Sequence, residues 1–132
     1  MNITTLLTPP KTIAVVGISD DSTRPSHIVA SYLRDRGFTI IPINPKLTEW
    51  EGIKAYADIS AIPRSMPFDI VNIFRKSEEV PAIVRTVINR GAAPVIWMQE
   101  GIASESAKLS ALQHSLEVMM DTCIMKTHQS LQ

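Results

Sequence analysis

The sequence has little cysteine and no excess of charge of either sign. Its one cysteine, Cys123, has no partner for an internal disulfide, which is the usual situation in a reducing cytosol. Thirteen lysines and arginines balance thirteen aspartates and glutamates, whereas proteins that bind duplex nucleic acid usually carry a basic excess. We therefore expect a cytoplasmic chain that does not bind nucleic acid.

Long hydrophobic runs and metal-ligand patterns are also missing. No apolar stretch approaches the roughly 20 residues that span a bilayer, and the N-terminus does not resemble a signal peptide. The three histidines lie far apart, at His27, His114 and His128, and show no zinc-ligand spacing. No nucleophile has an identifiable base and orienting group, so we assign no catalytic residue, no metal site and no membrane contact.

What the sequence does contain is a regular alternation of strand and helix patterns. Apolar runs predict five strands, at 12–17, 38–43, 69–74, 94–98 and 117–120. Amphipathic helix patterns begin near Pro25, Ser77 and Ser104, and in the last of these we expect Leu109, Leu112 and Leu116 to face inward. This order predicts one α/β domain over residues 1–132. We expect a Rossmann-like, doubly wound domain with a five-stranded parallel sheet in the order 3-2-1-4-5.

The first strand leads into a turn that is suited to phosphate. It ends at Gly17, and a helix pattern opens at Pro25 and Ser26. Backbone N–H groups in such a turn, together with a helix N-terminus, present positive potential to an anion. An ordinary dinucleotide loop has three glycines in G-x-G-x-x-G, and this one has only Gly17. We therefore predict phosphate binding, but not an ordinary nicotinamide dinucleotide.

The residues at the end of the second strand further limit the class of ligand that the sequence predicts. NAD sites usually place an acidic residue there to bind the ribose hydroxyls, and this chain has Asn44 followed by Lys46. A cation in place of a carboxylate favours a ligand with an additional phosphate near its ribose. Coenzyme A and NADP both carry one. An NADP(H)-binding oxidoreductase or a nucleotide-sensing module is therefore the alternative to a coenzyme A-binding protein.

Five segments in order resemble the small stand-alone coenzyme A-binding proteins, whose fold is that of the N-terminal domain of the succinyl-coenzyme A synthetase alpha subunit. These segments are Ile-Ala-Val-Val-Gly-Ile-Ser with Arg24-Pro-Ser26, Ile-Pro-Ile-Asn-Pro-Lys46, Asp69-Ile-Val-Asn-Ile-Phe-Arg75, Val95-Ile-Trp-Met-Gln99 with Gly101, and Val118-Met-Met-Asp-Thr-Cys123. The resemblance implies binding of coenzyme A or acyl-coenzyme A without ligase chemistry, because the synthetase's catalytic histidine lies in a second domain. It indicates no particular protein partner.

The resemblance also implies roles for individual residues. It implies that Gly17, Ser19, Arg24 and Ser26 contact the phosphates and that Lys46 contacts a phosphate of the nucleotide end. It also implies that Trp97, Met98 and Gln99 line the path of the pantetheine arm. The candidate set is completed by neighbours at the strand ends, Ile18, Asn44, Pro45, Phe74 and Arg75. We interpret Cys123 as a small buried residue rather than a redox group.

Overall fold

The computed structural model describes all 132 residues, and the predicted alternation of strands and helices is present. In chain order the elements are α1 (Ile3–Leu6), β1 (Thr12–Val16), α2 (Pro25–Asp35), β2 (Thr39–Ile43), β3 (Glu49–Trp50), β4 (Ile53–Lys54), β5 (Ile70–Ile73), α3 (Val80–Arg90), β6 (Val95–Met98), α4 (Glu105–Gln113), β7 (Val118–Met119) and α5 (Ile124–Ser130). Short 3-10 turns lie at Ile59–Ala61 and Ser77–Glu79. The five predicted strands correspond to β1, β2, β5, β6 and β7.

These five strands form one parallel sheet in the order β2-β1-β5-β6-β7. The α/β class, the strand number and the parallel pairing are therefore confirmed. The position of the third predicted strand differs from the expected order 3-2-1-4-5, because β5 pairs with β1 rather than with β2. Counted by predicted strands the order is 2-1-3-4-5, and the central strand is β5.

Pro42 gives a physical reason for this correction. Backbone groups of successive residues point to opposite edges of a strand, and the Ile43 carbonyl accepts a bond from the Gly17 N–H on the β1 side. Pro42 therefore directs its backbone away from β1, where its carbonyl accepts from the Tyr56 N–H. Proline has no N–H to give a further strand on that side, so it favours an edge position for β2.

The core lies on both faces of the sheet. One cluster packs β-strand residues against α3 and α4, and the other packs them against α1, α2 and α5. The expected inward face of α4 is wrong in part, since Leu109 and Leu112 are exposed while Ala107 and Ala111 are buried. Leu116 is buried as expected, but it lies beyond the end of the helix, so the three leucines do not share a helical face.

The last helix, α5, is an element that the sequence patterns did not predict. Its buried positions, Ile124 and His128, are one helical turn apart and face α2. The His128 Nδ1 lies 2.7 Å from the Tyr32 hydroxyl of α2. None of the helices is both long and apolar enough to cross a membrane.

Candidate functional site

The site is built around the turn that follows β1. Gly17 has φ of +86°, a left-handed conformation that favours glycine. A Cβ at this position would lie 2.8 Å from the Arg75 Cδ and 3.0 Å from the Phe74 carbonyl oxygen. A side chain at Gly17 would therefore overlap the backbone that follows β5. In a sheet of this order the strand order reverses between the parallel strands β1 and β5, and ligands bind at this switch point in open α/β folds.

Two side chains from the segment after β2 hold the turn in place. The Asn44 Nδ2 donates to the Ile18 carbonyl oxygen at 2.8 Å, and the Trp50 indole N–H donates to the Ser19 carbonyl oxygen at 2.9 Å. The Ser19 N–H donates to the buried Ser26 hydroxyl at 2.9 Å. The shape of the turn is therefore fixed before any ligand arrives, although the Ser19 N–H is already occupied.

Two cations project into the cavity beside this turn. The cavity measures about 700 Å³, and we call it the loop pocket; its walls include Gly17, Ser19, Arg24, Ser26, Asn44 and Lys46. Arg24 and Lys46 form no ion pair with any carboxylate. The acidic side chain of Asp20 also borders this pocket. Two unpaired cations against one carboxylate make it suitable for an anion.

A second cavity lies on the α3 side of the turn. It measures about 340 Å³, and we call it the α3 pocket; its walls include Val16, Ile43, Pro45, Ile59, Arg75 and Ile83. Arg75 binds Glu79 through two contacts, at 2.8 and 3.3 Å. These hydrogen bonds raise the pKa of Arg75 and lower the pKa of Glu79, so both groups are charged at neutral pH. Because apolar residues dominate the rest of the wall, the pocket suits a flat ring with a polar edge.

A third cavity runs between the N-terminal ends of α2 and α5. It measures about 440 Å³, and we call it the α2–α5 groove; its walls include Ile28, Phe74, Gln99, Ile102, Cys123 and Met125. Cys123 is buried, as expected, and precedes the first residue of α5. Glu100 and Lys126 form an exposed ion pair at its rim, 3.2 Å apart. The groove is mostly apolar and is suited to a neutral, flexible chain.

The three cavities share wall residues and so follow one another around the end of the sheet. Gly17 borders both the α3 pocket and the loop pocket. Pro25 and Phe74 border both the loop pocket and the α2–α5 groove. The order along this path is therefore an apolar pocket, a cationic pocket and a second apolar groove.

Every predicted site residue except Trp97 and Met98 borders at least one of the three cavities. The structure therefore brings these residues together at one end of the sheet. Trp97 and Met98 are fully buried, and the Trp97 indole N–H donates to the Thr122 carbonyl oxygen at 2.8 Å. Their side chains belong to the core. Ile18 is also fully buried, although it borders the loop pocket.

Sequence patterns missed the wall residues that come from the segment before β5, from α3 and the turn that precedes it, and from α5. These wall residues are Ala57, Asp58, Glu79, Ala82, Ile83, Thr86, Met125 and Lys126. The spacing of Arg75 and Glu79, four residues apart, was the available signal for one of them. The segment before β5, which contributes Ala57 and Asp58, has no sequence pattern that predicts a cavity wall, because its contacts depend on the strand order.

A family model for the coenzyme A-binding domain matches residues 11–129. This match covers nearly the whole chain, and the chain belongs to that family. A similar relative is the uncharacterized protein YneT of Bacillus subtilis, which is 40% identical over 123 residues, covering 93% of this chain and 89% of YneT.

Longer relatives and solved structures agree with this assignment. The ADP-forming acetate–CoA ligase of Methanocaldococcus jannaschii is 24% identical over 92% of this chain, which corresponds to only 18% of the ligase. A hypothetical protein from Pyrococcus horikoshii superposes with a TM-score of 0.90 at 32% identity, over 98% of this chain and 89% of that one. A Thermus thermophilus protein superposes with a TM-score of 0.90 at 30% identity, with both chains fully covered.

Proposed function

We propose that this chain binds coenzyme A or an acyl-coenzyme A along the path formed by the three cavities. The observation that carries this proposal is their order: an apolar pocket, a pocket with two unpaired cations, and an apolar groove. Coenzyme A has the same order of parts, since a base is followed by phosphates and then by an uncharged pantetheine arm. Membership of the coenzyme A-binding family supports the same ligand.

Each cavity then receives the part of the ligand whose chemistry it matches. The adenine ring enters the α3 pocket, where Arg75 and Glu79 form the polar edge. The phosphates lie in the loop pocket beside Arg24 and Lys46, because exposed guanidinium and ammonium groups form charge-assisted bonds with phosphate oxygens. The pantetheine arm follows the α2–α5 groove toward Cys123.

Binding alone accounts for these features, and no residue of the site forms a nucleophile and base pair that would define a reaction. Cys123 has no histidine among its groove neighbours, and His128 instead contacts Tyr32. We therefore propose a binding role in the cytoplasm, without ligase chemistry. The ligase relatives contain this region as a small part of a much longer chain.

Calorimetric titration of the chain with coenzyme A, dephospho-coenzyme A and NADPH tests the proposal. We expect coenzyme A to bind most tightly, and dephospho-coenzyme A to bind less well because one phosphate contact is lost. Binding of NADPH without binding of coenzyme A would instead support a nicotinamide-nucleotide protein. Failure of all three ligands to bind would leave the fold without the proposed function.

A further inference from the structure

Two buried amide side chains lie at the base of the α2–α5 groove, in a face of the sheet that is otherwise apolar. Asn72 is fully buried on β5, between Val15 of β1 and Trp97 of β6. Gln99 follows β6, is only 5% exposed and forms part of the groove wall. Buried amides are costly unless their hydrogen bonds are satisfied, so the partners of each atom matter.

The hydrogen bonds fix the orientation of both amides. The Ile124 N–H donates to the Gln99 Oε1 at 3.3 Å, and since a backbone N–H can only donate, the acceptor must be the amide oxygen. The Asn72 Nδ2 lies 3.3 Å from the Gln99 Oε1 and 3.4 Å from the Trp97 carbonyl oxygen. Both of these neighbours are acceptors, so the nitrogen of Asn72 must face them.

This orientation leaves two polar atoms without a protein partner. The Asn72 Oδ1 is sealed from solvent and accepts no hydrogen bond. The Gln99 Nε2 also makes no hydrogen bond to protein, and it belongs to a side chain that borders the groove. An incompletely satisfied buried network is less stable than apolar packing, so folding alone does not explain these residues.

We propose that Asn72 is a positioning residue that holds the Gln99 amide so that its Nε2 donates to a carbonyl oxygen of the ligand's arm. The inference rests on the proposed function, because it assumes that the arm occupies the groove. An NH₂ group in a mostly apolar groove is complementary to a neutral acceptor. Coenzyme A supplies amide carbonyls in its pantetheine arm, and an acyl-coenzyme A adds a thioester carbonyl.

Calorimetry with Asn72→Leu, Gln99→Met and the control Gln129→Met tests the proposal. Gln129 is exposed on α5 and borders none of the three cavities, so the control makes the same chemical change outside the groove. The ligands are coenzyme A, acetyl-coenzyme A and adenosine 3′,5′-bisphosphate, which has the phosphate end but no arm. We expect Gln99→Met to weaken an arm-bearing ligand about 3- to 10-fold, as for one neutral hydrogen bond, and to leave the bisphosphate unchanged.

Asn72→Leu separates positioning from support of the fold. The parent buries an unpartnered oxygen, so this variant should keep or raise the midpoint of thermal unfolding while binding coenzyme A more weakly. If Asn72→Leu does not fold, the result for Gln99→Met decides the proposal. Equal losses for coenzyme A and acetyl-coenzyme A assign the bond to a pantetheine amide. A loss confined to acetyl-coenzyme A assigns it to the thioester.

If the Gln99→Met variant binds both arm-bearing ligands as the parent does, the proposed hydrogen bond from the Gln99 Nε2 to a ligand carbonyl is wrong. The proposed function would remain intact. An Asn72→Leu variant that only lowers the unfolding midpoint and leaves affinity unchanged would overturn the positioning role of Asn72. If the parent protein binds no coenzyme A, the proposed function is wrong, and so is the proposed hydrogen bond between the Gln99 amide and the ligand.

Discussion

At the scale of single residues, Gly17 shows how a conformation and a close approach act together. Its positive φ would strain any other residue, and a side chain here would overlap the Phe74 backbone after β5. Gly52 also has positive φ, +78°, but a Cβ there would have no heavy atom within 4 Å. The two positions therefore share the conformational requirement and differ in space.

We predict that Gly52→Ala lowers the free energy of unfolding by about 1–2 kcal/mol, the cost of a left-handed alanine. Gly17→Ala should cost about 2–4 kcal/mol, because overlap with the Phe74 backbone adds to the same strain. Urea denaturation of both variants measures the difference. Equal losses would show that the close approach at Gly17 carries no energy of its own.

The proposed function makes phosphate binding depend on Arg24 and Lys46, since both are exposed in the loop pocket and neither forms an ion pair. We predict that Arg24→Ala and Lys46→Ala each weaken coenzyme A by about 1.5 kcal/mol, the lower end for charge-assisted bonds at exposed sites. Asp20→Asn is the matched control, because it removes a negative charge from the same pocket and should strengthen binding.

Both losses should shrink as salt concentration rises, since exposed charges are screened. The variant that loses the contact to the 3′-phosphate should bind coenzyme A and dephospho-coenzyme A alike. If neither substitution changes affinity at low salt, the phosphates do not lie in the loop pocket.

At the scale of elements, the sequence patterns predicted strands and helices well where a glycine or a proline marks the start or the end of the element. Strand β1 and helix α2 lie within one residue of their predicted bounds near Gly17 and Pro25, and Gly91 follows the end of α3. The strand order differed from the prediction, because periodicity says which residues are buried but not which edge a strand joins. Pro42 carried that information, and its effect depends on which side its backbone faces.

Helix α5 was missed because it is short and only two of its side chains are buried. Its docking depends on His128, which lies against Tyr32 and Phe38. Burial lowers the pKa of His128, and the nearby positive charge of Arg36 lowers it further. The unfolded chain therefore takes up a proton on this histidine at a higher pH than the folded chain does.

This difference makes stability depend on pH with a definite sign. We predict that the contribution of His128 is complete above the unfolded pKa of about 6.5 and is lost as pH falls from there toward the lower folded pKa. Thermal unfolding of the parent and of His128→Phe between pH 5 and 8 measures it. His114→Phe is the control, because His114 is exposed on the end of α4. A His128→Phe variant with an unchanged pH slope would contradict the assignment.

At the scale of the whole molecule, the fold brings three cavities of different chemistry to the C-terminal ends of the strands. Candidate residues at the ends of β1, β2 and β5 could be predicted, since parallel strands all end at one edge of the sheet. The α3 pocket could not, because its wall combines residues 57–59 with α3, and nothing in either segment alone indicates a cavity. The family resemblance implied that Trp97 and Met98 line the pantetheine path, yet their side chains are in the core.

The proposed function requires that one ligand occupy all three cavities from end to end. The most direct measurement is a titration followed by backbone amide NMR, with adenosine 3′,5′-bisphosphate first and coenzyme A second. We predict that the bisphosphate shifts amides of the α3 pocket and the loop pocket, such as Thr86 and Ser19. Coenzyme A should shift these and also Gln99 and Cys123 in the α2–α5 groove. Identical shifts with the two ligands, or coenzyme A shifts that avoid the loop pocket, would contradict the occupation of all three cavities by one ligand.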